Sequence, residues 1–149
     1  MPARFADDRG ETLLETLVAT VLLGLAVVAV LGSLLAAVQL SDVHRKQADA
    51  GAVARDYAET VNRYVAAGGY ASCAGSSAYL PAKVGFTSPK GYTAVTAAVR
   101  YWTGSTWTST CSSDIGLQLA TVQARSVDGR ATEEIAVVLR KPCGQGSTC

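Results

Sequence analysis

Between Thr16 and Ser41 the chain runs for 26 residues without a charge, dominated by Leu, Val and Ala. As a helix rising about 1.5 Å per residue, the run extends about 39 Å, more than the ~30 Å hydrocarbon core of a bilayer. It is too long for the apolar core of a secretory signal, which covers about 7–15 residues and ends in a small-residue cleavage site. The short polar stretch ahead of it, MPARFADDRG, balances Arg4 and Arg9 against Asp7 and Asp8. The whole-chain hydrophobic fraction of 49% owes much to this run, since the chain from about Asp42 onward is ordinary and polar.

The pattern changes after Ser41 without a break in helical character. Residues 42–67 contain no proline, and Gly51 is their one glycine. Val43, Ala50, Val53, Ala54, Tyr57, Val61, Tyr64 and Val65 recur at spacings of three, four and seven, while charged residues fill the other faces. Gly68-Gly69 supplies the stop, because glycine takes the left-handed conformation at little cost. These features predict one helix from about Thr12 to Ala67, roughly 84 Å long, apolar in its first half and one-sided in its second.

From Tyr70 the chain becomes turn-rich. Strands are predicted at Ala94–Tyr101, Leu117–Arg125 and Thr132–Arg140, with Asp128-Gly129 as a tight hairpin signal and a second hairpin at Gly104-Ser105. In the last strand Ile135, Val137 and Leu139 alternate with Glu134, Ala136 and Val138, which suits one well-buried face. The expected fold is α+β: a long N-terminal helix whose second half packs against a small antiparallel sheet of three or four strands.

Several functions find no support. A net charge of +1 without a dense basic block predicts no grip on nucleic acid. Residues 70–149 contain no histidine and no GxSxG elbow, and no phosphate-cradling loop occurs, so no catalytic residue is assigned and the chain does not read as an enzyme. His44 stands alone, so no metal and no cofactor is expected; with Arg45 and Lys46 it reads as the boundary of the apolar run. Tyr92, Tyr101, Trp102 and Trp107, near Lys90 and Arg100, fit cross-strand packing better than a stacking surface for sugars or single strands. Cys73, Cys111, Cys143 and Cys149 all follow the apolar run and favour disulfides in an oxidising compartment. Three pairings are open. Cys73–Cys111 with Cys143–Cys149 is the favoured one, the alternative leaving Cys149 free or linked to another molecule.

The junction RGETLLETLVATVLLGLAVVAVLG, from Arg9 to Gly32, resembles the N-terminal signal of type IV pilins and type II secretion pseudopilins. The resemblance implies a leader of residues 1–10, cut after Gly10 on the cytoplasmic side by a prepilin peptidase. Glu11 would then be the first mature residue, where the family usually has an often N-methylated phenylalanine. Thr12, Leu13 and Leu14 match the residues that follow, and Glu15 matches the acidic fifth mature position, held in the family to pair with a neighbouring subunit's amino terminus. Gly24 stands where those pilins often carry glycine, and Gly32 where many carry a helix-bending proline.

The layout implied is a leader (1–10), a membrane and filament-core helix (11–41), an amphipathic half (42–69) and an extracytoplasmic β-rich domain with disulfides (70–149). The resemblance implies a structural subunit anchored once in the cytoplasmic membrane and assembled with other pilin-like subunits by a platform protein and ATPase into a pilus or pseudopilus. The style of the segment is closer to a minor than a major subunit. One alternative is a tip-located minor pilin for binding, adhesion or DNA uptake; another is an uncleaved single-pass membrane protein.

Overall fold

The computed structural model describes residues 11–143, which fall into two compact units dividing after Asp42. Helix α1, Glu11–Tyr64, runs through that division without interruption. In the first unit the described residues form nothing but helix.

The second unit joins the amphipathic half of α1 to a four-stranded antiparallel sheet. Its strands are β1 (Tyr92–Trp102), β2 (Trp107–Thr108), β3 (Leu117–Ser126) and β4 (Thr132–Arg140), in the spatial order β2-β1-β3-β4. Ala50, Ala54, Tyr57 and Val61 on α1 are fully buried, as are Ala120, Val122 and Ala124 on β3 and Leu139 on β4. The stripe read at spacings of three and four is therefore the packing face.

The helix ends where its glycines stand. Val65–Gly69 forms a single wide π-type turn in which Gly68 takes φ +100°, and a side chain at Gly69 would run into the Tyr64 ring. A short 3-10 turn at Ser76–Tyr79 and a one-turn helix α2 at Pro81–Val84 follow, neither of which the sequence pattern announced. They deliver Tyr79, Val84 and Phe86 into the core, where the Phe86 ring lies 5.0 Å from that of Tyr57.

Within the sheet, β1 changes phase. Ala94 and Thr96 point inward, a bulge intervenes between Thr96 and Ala98, and Val99 and Tyr101 point inward after it. One extra residue restores the buried face that simple alternation would lose. The hairpin expected at Gly104-Ser105 is present, closed by Trp102 opposite Trp107 with ring centroids 5.1 Å apart. The Asp128-Gly129 connection is looser than a two-residue turn: the Ser126 amide donates to the Ala131 carbonyl across it. The buried face predicted for β4 is only partly realised. Leu139 is fully buried while Ile135 and Val137 are half-buried, because β4 lies at the margin of the sheet.

Candidate membrane and assembly segment

Every residue from 12 to 41 is exposed, with Leu14, Leu23, Val28, Leu35 and Val38 each at least two-thirds open. The helix is long and apolar enough to cross a membrane, and none of that apolar stretch is covered by the other described residues. Three of its hydroxyl groups are satisfied within the helix itself. The hydroxyls of Thr16, Thr20 and Ser33 donate to the carbonyls of Leu13, Leu17 and Val30, so none needs water.

Glu15 is the exception. Its face carries Leu14, Val18, Ala19 and Leu22 around a shallow groove, an apolar setting for a carboxylate. Thr12, Leu13 and Leu14 occupy the same first turns of α1. Around Gly24 and Gly32 there is open space for an added Cβ, so no contact among the described residues requires glycine at either position. The predicted cleavage residue Gly10 lies outside the described residues, and Glu11 is the first residue of α1.

The second unit is held by two polar devices. Cys73 and Cys111 form the favoured disulfide, with Cα atoms 5.6 Å apart. The companion pair with Cys149 falls outside the described residues. Beside the disulfide, the Asp114 carboxylate accepts from the Tyr70 hydroxyl at 2.6 Å, the Gln118 amide at 2.7 Å and the backbone amides of Gly116 and Cys73 at 2.8 and 2.9 Å. Gln118 also accepts from the Tyr79 hydroxyl and donates to the Ala71 carbonyl. Burial pushes the Asp114 carboxyl up, but those four donors outweigh it and leave it below its ordinary value. Burial, with the Asp114 charge alongside, drives the Tyr70 hydroxyl far above its own.

The other device joins the ends of the domain. Lys46 donates to Asp128 at 2.5 Å, and Asp128 also accepts from Ser126 and from the Arg130 side chain and amide. The Lys46 ammonium first, then the Ser126 hydroxyl, holds Asp128 well below the usual carboxylate range. Lys46, read from sequence as a boundary residue, is thus also a tie to the β3–β4 turn.

Of the aromatic residues weighed as a stacking surface, Tyr101 is buried and donates to the Ala74 carbonyl, while Trp102 and Trp107 pack on each other. Among the described residues no cluster of His, Cys, Asp or Glu could hold a metal ion. Sequence reasoning missed Asp114, although it is the one charged residue between Tyr101 and Ala124 and stands two residues before a glycine. A lone carboxylate in an uncharged stretch was the available signal.

No family model, no curated protein and no solved structure matches this chain.

Proposed function

We infer that this chain is a pilin-like structural subunit, inserted once in the cytoplasmic membrane, cut after Gly10 and assembled through its apolar helix. The observation that carries the reading is the uncovered apolar stretch of α1 with the carboxylate of Glu15 near its head, one turn after Glu11. A surface of that size needs lipid or equivalent helices, and an acid so placed needs a partner. The glycine, the acid five residues on and the unbroken apolar run together supply the motif.

Two further features support the rest. The Cys73–Cys111 disulfide suits a domain that folds outside the reducing cytoplasm. The open surroundings of Gly24 and Gly32 suit close approach by neighbouring helices. The role is noncovalent and needs no active site.

Coexpression with a prepilin peptidase, followed by intact-mass measurement, tests the processing step. Loss of residues 1–10 is expected, and Gly10→Ala should retain them. An intact leader in the unsubstituted chain would leave a plain single-pass anchor as the better reading.

A further inference from the structure

The two margins of the sheet are built differently. On one side β1 is bulged between Thr96 and Ala98, and the two-residue β2 covers its end. Bulges and short covering strands keep an edge from pairing with other chains. On the other side β4 has no strand beyond it among the described residues, and its register with β3 is unbroken from Thr132 to Arg140. It contains neither proline nor glycine, and Pro142 comes only after Lys141.

The free backbone groups of β4 can be assigned. At one end of the ladder the Lys141 amide donates to the Gly116 carbonyl, and at the other the Ser126 amide donates to the Ala131 carbonyl. Hydrogen-bonded positions alternate along an antiparallel pair, so the odd-numbered residues of β4 bond to β3. Glu134, Ala136, Val138 and Arg140 direct their amides and carbonyls to the open margin.

The side chains select what can pair there. Glu133-Glu134 opens the segment, Ile135 to Leu139 is apolar, and Arg140-Lys141 closes it. Laid antiparallel beside itself with Val137 opposite Val137, the strand sets Glu134 against Arg140 and Glu133 against Lys141 of the second copy. The same register places Glu134 opposite Arg140 and Ala136 opposite Val138, the residues whose backbone groups are free. A shift of one residue sets Glu134 against Leu139 or Lys141, odd-numbered positions whose backbone groups are already bonded on the β3 side, and a shift of two sets it against Val138 or Pro142. Backbone and charge thus agree on a single register.

We propose that β4 is a docking edge for a second copy of this chain, joined antiparallel about a two-fold axis at Val137. The pairing merges two four-stranded sheets into one and covers Val137 and Val138, the latter 51% exposed in the single chain. Its direction has a consequence. Lys46 pairs with Asp128 just before β4, and Gly51 lies beside Glu133 near the start of β4, so the second half of α1 runs the same way as β4. Antiparallel β4 strands therefore set the two helices in opposite directions. The contact stands whether or not the assembly reading does.

The test uses the full chain in detergent. The described cysteines are already disulfide-bonded, so Val137→Cys adds a free thiol on the axis, and mild oxidation should give a covalent dimer. Val95→Cys, on the exposed face of β1, should give only collisional background. Glu134→Arg or Arg140→Glu alone should weaken dimerisation in sedimentation by about tenfold, since each turns two symmetry-related attractive pairs into like-charge pairs. The double variant should restore it. Equal cross-linking at the two positions, or single reversals without effect, would overturn the proposal.

Discussion

Asp114 shows how much a single residue can organise. Its four donors come from the loop after the helix, from its own turn and from β3, so one carboxylate joins three stretches of chain. Asp114→Asn keeps the size but replaces an acceptor oxygen with a donor, leaving the Tyr70 hydroxyl or the Gln118 amide facing another N–H. The expected cost is about 2 kcal/mol at neutral pH, read from urea unfolding followed by Trp102 and Trp107 fluorescence. The pH dependence has a definite sign. A carboxyl whose folded value is depressed contributes fully above its ordinary value, 3.8, and loses that contribution as pH falls through the lowered one. The gap between the original chain and Asp114→Asn should therefore hold from neutral pH down to about 4 and close below it.

At the scale of elements, the loop segment between β2 and β3 has little apolar burial, and the Cys73–Cys111 bridge supplies what packing does not. The bridge spans 38 residues, for which loop entropy gives about 4 kcal/mol of stabilisation. A Cys73→Ser/Cys111→Ser variant should lose up to that amount, seen as a lowered thermal midpoint in near-ultraviolet circular dichroism. Elements were legible in the sequence in proportion to their periodicity. The helix was read to within a few residues of its end because Gly68-Gly69 stops it, and β3 and β4 because alternation and Asp128-Gly129 bound them. The ends of β1 were cut short, and its bulge at Ala97 breaks the alternation on which such a reading depends. Ser76–Val84 folds into short helical turns from a composition that reads as loop, since its order comes from placing Tyr79 and Val84 in the core. The Asp114 cluster was invisible for a related reason: its members are separated by up to 47 residues and meet only in three dimensions.

For the molecule as a whole, the apolar half of α1 is the feature that the other described residues leave uncovered. If helix assembly is its purpose, Glu15→Leu removes the one group there that asks for a charged partner. Such a chain should still enter the membrane and lose residues 1–10, since greater apolarity favours insertion. Its recovery in sheared filaments should fall to background, and quantitative immunoblotting of membrane and sheared fractions distinguishes the two steps. Unchanged recovery would remove Glu15 from the assembly role.

The tie between Lys46 and Asp128 spans 82 residues, and the helix face beside it finds its cover on strands that come much later in the chain. The helix is made first and its partners last. Contacts this distant in sequence delay folding, because the loop between them must close before any of them contributes. The domain therefore cannot reach its final packing until β4 has been delivered, and before then Tyr57, Val61 and their neighbours lie open. Were the domain moved across a membrane before β4 is made, it would travel as an unfolded thread behind the helix.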